Sequence, residues 1–260
     1  TFTTDLPVSA GLSSSAALEL ATALVFSQLA RQELSRKDLV RVCRKAENEF
    51  VGLPCGILDQ ATSAYGRKDH LVLIDCEKED FTTLPLPPRT MIWVFDSGIK
   101  HDLIDSQYAT RNRECKEALR LIRELKPRFS CLAQADENVL EKAKMPGRIR
   151  KRALHVVREQ ERVRLFHEGL QKKANPRELG RLLTDSHNSS SELFENSCPE
   201  LDALVQSLVE SDEVLGARLT GGGFGGAVLA WTTTEFEQTD ADRIASSYEK
   251  QFGHCPETRS

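Results

Sequence analysis

Near its start the chain reads Pro7-Val8-Ser9-Ala10-Gly11-Leu12-Ser13-Ser14-Ser15-Ala16, a small and polar segment between two regular ones. Residues 2–8 alternate loosely and stop at a proline, which is typical of a strand that enters a tight turn. Apolar residues predominate from residue 16 to residue 29, which indicates a helix. The sequence therefore predicts a strand, a loop of glycine and serine, and the N-terminal end of a helix, in that order.

The loop from Ser9 to Ser15 is the strongest local signal for a binding site. Small side chains let backbone N–H groups approach an anion closely, and the following helix presents its unpaired N–H groups to the same point. Three consecutive serines add hydroxyls for phosphate oxygens or a metal ion. No lysine follows in the G-x-x-x-x-G-K-[ST] pattern, so this is not a P-loop of that class. A loop that only turns the chain and caps a buried helix is the alternative interpretation.

A second signal lies on the next predicted helix. Ser35 is the expected N-cap of this helix, and Asp38 three residues later completes a capping-box pattern. Gly52 and Pro54 end this helix. Steps of three and four residues return to one face of a helix. That face consists of Val40, Cys43, Glu47 and Phe50. One carboxylate is therefore expected on an otherwise apolar stripe.

Removing the ionised Glu47 carboxylate from water costs several kcal/mol unless a partner compensates. A Mg²⁺ ion shared with a serine hydroxyl and phosphate oxygens would compensate, because hard cations prefer oxygen ligands. A salt bridge to Arg or Lys, or a place at the edge of the stripe that reaches solvent, would serve equally well. The residues alone leave these interpretations open.

Asp59 follows in a predicted loop that can point a carboxylate into a cleft. An aspartate with a pKa of about 3.9 is a weak base at pH 7, yet it orients a hydroxyl and accepts its proton when that oxygen attacks phosphorus. The alternative is an aspartate that caps the next helix through Gln60 and Ala61.

Residues 221–226 read Gly-Gly-Gly-Phe-Gly-Gly, which is too rich in glycine for an ordinary connection between strands. Each glycine loses more conformational freedom on folding than any other residue, so its presence needs a reason. Either another backbone segment packs very closely against this glycine run, or a phosphate-binding loop packs against it.

The chain as a whole predicts an α+β fold in two parts. Strand-like runs occupy residues 71–75 and 91–96, and the proline-rich stretch 84–88 between them is the expected boundary. Helices are expected in four places beyond it, with a last helix near the end. Their ranges are 106–125, 148–170, 176–186, 199–210 and 241–252.

Composition excludes several classes of protein. Of the 260 residues 40% are apolar and 28% are charged, and the formal net charge is −4, so disorder, collagen and a simple coiled coil are excluded. The slight acidity argues against nucleic acid as a partner. No run offers the roughly 20 apolar residues of a membrane span. Seven cysteines without zinc-finger spacing favour reduced thiols in the cytoplasm, and a monomer is the default expectation.

Together these segments resemble the GHMP kinase superfamily and, within it, the galactokinases. Residues 7–16 resemble the family's P-x-G-x-G-L-S-S-S-A phosphate loop, with Ser9 in place of the first glycine. Residues 46–60 resemble the segment around its catalytic aspartate, and residues 216–226 its third motif. The resemblance runs from about residue 5 to residue 231. The family's first motif, which bears an arginine, would lie upstream of Thr1, so the chain is expected to be a fragment.

The resemblance implies a two-lobed fold, with the rest of an N-terminal lobe similar to ribosomal protein S5 domain 2 at residues 1–88 and an α+β C-terminal lobe at residues 89–260. It implies that the phosphates of ATP are held by Ser9, Ala10, Gly11, Leu12, Ser13, Ser14 and Ser15. It also implies that Ser15 and Glu47 ligate Mg²⁺ and that Asp59 is the catalytic base. The resemblance further implies that Gly56, Asp59 and Tyr108 contact the sugar.

The activity implied is ATP-dependent phosphorylation of a sugar at its C1 hydroxyl, with galactose as the first candidate. Galactokinases, N-acetylgalactosamine kinases and arabinose kinases share this core, so the sugar stays open. Two alternatives also stay open: a sensor that binds sugar and ATP without catalysis, and a fragment that is inert because it lacks the upstream arginine.

Overall fold

The structure, a computed structural model, describes residues 2–4, 6, 13–52, 55–99 and 104–260, and only the backbone of residues 104–106. It divides into two compact units, Thr1–Pro88 and Arg89–Ser260, called unit 1 and unit 2 below. Helices and antiparallel sheets occur in both, so the predicted α+β class is confirmed. No helix in the described ranges combines the length and apolarity needed to cross a membrane.

The described part of unit 1 contains three α-helices followed by a β-hairpin. These are α1 (Ser14–Leu29), α2 (Arg36–Ala46), α3 (Leu58–Tyr65), β1 (His70–Asp75) and β2 (Asp80–Pro85). The two strands pair antiparallel, with His70 opposite Pro85 and Asp75 opposite Asp80. The prediction for β1 is confirmed to within one residue, whereas β2 was missed. Its last two residues belong to the stretch that was interpreted as a boundary.

The predicted cap of α2 is confirmed. Ser35 Oγ accepts a hydrogen bond from the Asp38 backbone N–H at 3.1 Å, which satisfies one unpaired donor of the first turn. The Asp38 carboxylate accepts from the Ser35 hydroxyl at 2.6 Å. Both contacts converge on the same hydroxyl and fix where the helix begins.

The expectation that Phe50 shares the buried face of α2 is wrong. Val40, Cys43 and Glu47 are 0%, 2% and 7% exposed, whereas Phe50 is 93% exposed. The helix changes to a π turn over Glu47–Val51 and ends at Gly52, as predicted. A π turn closes over five residues instead of four, so each residue rotates less about the axis. Spacing that assumes an α-helix therefore fails directly after Glu47.

Apolar side chains of helix α1 are spread around the helix instead of forming one face. Ala16 and Leu20 are buried, while Phe26 and Leu29 on other sides of the helix are 64% and 75% exposed. Between α1 and α2 lies an apolar groove of about 600 Å³. In the part of unit 1 that the structure describes, one face of α1 thus packs against its neighbours and another faces this groove.

Unit 2 is built on a four-stranded antiparallel sheet in the order β4-β5-β3-β6. Its elements are β3 (Thr90–Asp96), α4 (Ile104–Arg123), α5 (Glu137–Lys142), α6 (Gly147–Gln171), α7 (Pro176–Ser189), α8 (Pro199–Val209), β4 (Val214–Thr220), β5 (Ala227–Thr233), α9 (Gln238–Phe252) and β6 (Glu257–Arg259). Trp93 and Phe95 on one face pack against α8 and α9. Leu215 and Trp231 on the other face pack against α6 and α7.

Two glycines bring α7 against β4. A Cβ on Gly216 would lie 1.9 Å from the carbonyl oxygen of Gly180, and a Cβ on Gly180 would lie 2.1 Å from the carbonyl oxygen of Leu215. No side chain fits at either position, so the helix and the strand touch backbone to backbone. This contact fixes β4, which leads directly into the glycine run that follows it.

His155 on α6 is a packed histidine. Its Nδ1 lies 2.9 Å from Ser189 Oγ, and its ring lies 4.6 Å from the ring of Phe194. Burial lowers the pKa of His155 to about 4, because the charged imidazolium loses its hydration. The Glu159 carboxylate opposes this shift, and the Arg162 and Arg218 cations reinforce it. His155 is therefore neutral at pH 7.

The burial of His155 predicts that the free energy of unfolding decreases as the pH falls. The unfolded chain binds a proton at His155 below its ordinary pKa of 6.5, whereas the folded chain does so only near pH 4. Stability is therefore lost as the pH falls through this window. The free energy of unfolding is measured with urea at pH 7 and at pH 5. Its decrease between the two pH values is expected to be about 2 kcal/mol smaller in His155→Gln than in the natural chain. An equal loss in the variant and the natural chain would contradict the assignment.

Candidate active site

The predicted phosphate loop is described only in part. Ser9, Ala10, Gly11 and Leu12 lie outside the described residues. Ser13 precedes α1 with a φ of 56°, in the left-handed region, and its side chain makes no capping hydrogen bond. Ser14 and Ser15 form the first turn of α1, and Ser15 is exposed. The helix therefore presents this turn next to the predicted loop.

Glu47 is buried beside Ser15. The Ser15 hydroxyl donates to Glu47 Oε1 at 3.2 Å, and Gln60 Nε2 donates to Glu47 Oε2 at 2.8 Å. Among the described residues no lysine or arginine forms an ion pair with this carboxylate, and only 7% of Glu47 is exposed. The sequence leaves three interpretations of Glu47 open: a metal ion, a salt bridge and a position at a solvent-exposed edge. Within the described ranges the last two do not hold.

Ser15 and Glu47 fit a Mg²⁺ ion. An octahedral ion with ligands at about 2.1 Å places adjacent oxygens about 3 Å apart, and Ser15 Oγ lies 3.2 Å from Glu47 Oε1. The described residues contain no group of three His, Cys, Asp or Glu side chains that could hold a metal alone. An ion at this pair would therefore need further oxygen ligands, such as water or phosphate.

Gln60 and Glu19 complete this buried cluster, and sequence reasoning missed both. Gln60 is 0% exposed and donates from Nε2 to Glu19 Oε2 at 3.2 Å as well as to Glu47. Burial raises the pKa of Glu19, and the Glu47 and Asp59 carboxylates raise it further, against the hydrogen bond from Gln60. A local pattern in the sequence indicates Glu19, because it follows Ser15 by four residues and therefore lies on the same face of the helix.

The prediction that Asp59 lies in a loop is wrong. The residue lies in the first turn of α3 and is exposed, whereas the next residue, Gln60, is buried. The residue that caps α3 is Ile57, and its side chain makes no capping bond, so Asp59 is not the helix cap. A carboxylate in the first turn is stabilised by the helix dipole. Gly56 precedes this turn, and a Cβ built there meets no atom of the described residues within 4 Å. Among these residues the space beside Gly56 is open.

In unit 2 the glycine run turns tightly between β4 and β5. Gly221, Gly223, Gly225 and Gly226 all have positive φ angles, between 76° and 121°. A Cβ on Gly223 would lie 2.0 Å from the Asn196 carbonyl oxygen, and one on Gly225 would lie 2.6 Å from the Ile99 carbonyl oxygen. Close packing of other backbone, the first of the two reasons considered for this run, therefore holds.

Asn196 anchors the glycine run from two sides. Its carbonyl oxygen accepts from the Phe224 N–H at 2.7 Å, and its side-chain amide donates to the Gly222 carbonyl at 3.1 Å. Tyr108 of α4 lies beside the same turn, 3.5 Å from a Cβ built on Gly222. The glycine run, Asn196 and Tyr108 thus meet within unit 2, while Ser15, Glu47 and Gln60 meet within unit 1.

Comparison with known proteins identifies related families. The models "GHMP kinases N terminal domain" and "GHMP kinases C terminal" match residues 1–67 and 166–254. The galactokinase of Thermotoga petrophila is 41% identical over 250 residues, which are 96% of this chain and 69% of that protein. The galactokinase of Pasteurella multocida is 38% identical, over 96% of this chain and 65% of that protein.

Solved structures agree with these relatives. Lactococcus lactis galactokinase complexed with galactose matches with a TM-score of 0.92 at 28% identity, over 98% of this chain and 66% of that one. The mevalonate kinase of Methanococcus jannaschii matches with a TM-score of 0.59 at 20% identity, over 99% of this chain and 65% of that one, and shares the fold alone. The chain thus spans about two thirds of the length of these proteins.

Alanine at two glycines separates backbone strain from steric exclusion. Gly221 and Gly223 have φ angles of 76° and 80°, but only at Gly223 would a Cβ meet another atom within 4 Å. Gly221→Ala is expected to lower the free energy of unfolding by about 1–2 kcal/mol, and Gly223→Ala by about 1–3 kcal/mol more. Urea denaturation measures both, and equal losses would contradict the close contact with Asn196.

Proposed function

Since the chain belongs to the galactokinases of the GHMP kinase family, we propose that it transfers the γ-phosphoryl group of ATP to the C1 hydroxyl of galactose, giving galactose 1-phosphate. The observation that carries this proposal is the buried Glu47 carboxylate, 3.2 Å from a serine hydroxyl in the first turn of α1. Such a pair suits a metal–phosphate complex and has no other compensating charge among the described residues.

The domains follow from the same membership. Residues 1–88 form the remainder of the N-terminal lobe and residues 89–260 form the C-terminal lobe. The two compact units support this division, as do the family models that match residues 1–67 and 166–254.

The phosphates of ATP bind along Ser9 to Ser15, at the N-terminal end of α1. Backbone N–H groups of the first helical turn and the serine hydroxyls donate to phosphate oxygens there. Ser15 and Glu47 hold Mg²⁺, which neutralises charge on the transferring phosphoryl group when it is bound. The chain itself binds and orients the phosphates, and α1 excludes water from the buried side of Glu47.

Asp59 accepts the proton of the C1 hydroxyl as that oxygen attacks phosphorus. Its exposed position on the first turn of α3 leaves the carboxylate accessible to a sugar. Gly56 and Tyr108 contact the sugar. Gly56 suits this role because a Cβ built there meets no atom of the described residues within 4 Å, and Tyr108 because it is half-buried and carries a hydroxyl.

A sensor that binds without catalysis is the less favoured alternative, because Asp59, Ser15 and Glu47 are all retained and a sensor needs no base. An inert fragment would bind ligands without turnover. The partner is a small sugar, and no nucleic acid or membrane takes part. The protein works in the cytoplasm, in keeping with seven free cysteines, and a monomer is the default expectation.

Replacement of the base tests the mechanism. Asp59→Asn is expected to lower galactose-dependent ADP release by about 10²–10⁴-fold, because the hydroxyl loses its proton acceptor, while ATP affinity stays within about 3-fold. Asp69→Asn, an exposed aspartate of the same unit, is the matched control and should keep full turnover. N-acetylgalactosamine and arabinose are assayed alongside galactose. Turnover that survives Asp59→Asn would refute the mechanism, and ligand binding without turnover in the natural protein would favour the sensor.

Metal dependence tests the Ser15–Glu47 pair. EDTA is expected to abolish turnover, and Glu47→Gln should raise the Mg²⁺ concentration for half-maximal activity at least about 10-fold, because a neutral amide is a poorer ligand. Glu49→Gln, on the exposed side of the same π turn, is the control and should behave as the natural protein. An unchanged Mg²⁺ requirement in Glu47→Gln would exclude the residue as a ligand.

A further inference from the structure

Gln60 lies where three helical segments of unit 1 meet. It belongs to α3, directly after Asp59, and none of its surface is exposed. Its amide nitrogen carries two hydrogens, and both are used: one bond reaches Glu47 Oε2 at 2.8 Å and the other reaches Glu19 Oε2 at 3.2 Å. With both hydrogens committed, the side chain holds one orientation.

The bond from Gln60 to Glu47 decides how the Glu47 carboxylate is oriented. Oε2 is tied to Gln60, so Oε1 is the oxygen that faces the Ser15 hydroxyl, at 3.2 Å. Neither Glu47 nor Glu19 forms an ion pair with a lysine or arginine among the described residues. The amide of Gln60 is thus the group on α3 that satisfies both carboxylates.

We propose that Gln60 is a positioning residue, whose side-chain amide holds Glu47 so that Oε1 and Ser15 Oγ are set as a ligand pair before the metal–nucleotide complex binds. The inference rests on the proposed function and extends it to a residue that has no exposed surface. Because Gln60 and Asp59 are neighbours on one helix, α3 then fixes both the base and the metal ligand.

Metal binding without turnover tests the proposal. The probe is Mn²⁺ with a non-hydrolysable ATP analogue, followed by the electron paramagnetic resonance signal of free Mn²⁺. Gln60→Met keeps the length of the side chain and removes both donors. Its Kd for Mn²⁺ is expected to rise about 10–100-fold, as for other residues that orient a metal ligand. In turnover, kcat should fall while the KM for galactose stays within about 2-fold.

A double-mutant cycle separates positioning from general stabilisation. If Gln60 acts through Glu47, then Gln60→Met in a Glu47→Gln background should weaken Mn²⁺ binding by no more than about 2-fold further. If the increases in Kd for Mn²⁺ caused by Gln60→Met and by Glu47→Gln multiply in full in the double variant, the proposal is overturned. It is also overturned if Gln60→Met alone binds Mn²⁺ like the natural protein. Gln60→Leu, which also removes both donors and adds no charge, replaces Gln60→Met if that variant does not fold.

The same measurement distinguishes failure here from failure of the proposed function. A natural protein that binds no Mn²⁺–nucleotide complex would refute the kinase assignment itself. A natural protein that binds the complex tightly, with Gln60 variants that bind it equally well, would leave the kinase assignment intact and refute the positioning role alone.

Discussion

The burial of the Glu47 carboxylate is the constraint on which unit 1 depends. A carboxylate removed from water is tolerated only where hydrogen bonds or a cation compensate it. Here the compensation comes from Ser15 at the start of α1 and from Gln60 on α3. Three helical segments must therefore converge on one side chain, and their convergence also fixes the first turn of α1 and the turn that carries Asp59.

Unit 2 depends on a different constraint, the close approach of backbones. Gly180 and Gly216 let α7 touch β4, and Gly223 lets the glycine run reach the carbonyl of Asn196. Any side chain would separate these segments. In both units a buried amide then completes the arrangement: Gln60 donates to two carboxylates, and Asn196 donates to the carbonyl of Gly222. Such amides fix geometry without adding a charge.

The elements that were predicted well are those that local chemistry specifies. The Ser35 cap, the end of the second helix at Gly52 and the strand before Cys76 follow from residue type and short-range spacing. The failures have local causes as well. The π turn at Glu47–Val51 rotates Phe50 out of the face that α-helical spacing assigns to it. Strand β2 was missed because its end runs into prolines, which usually interrupt a strand.

By itself the sequence identified candidate residues for the site, since a serine loop before a helix, a carboxylate on an apolar stripe and a glycine run are all local patterns. Only the tertiary structure decided what compensates the buried carboxylate. Ser15 lies 32 residues before Glu47, and Gln60 lies 13 residues after it. Periodicity reports which side of a helix faces inward, but the neighbour that meets that side is set by how separate helices pack.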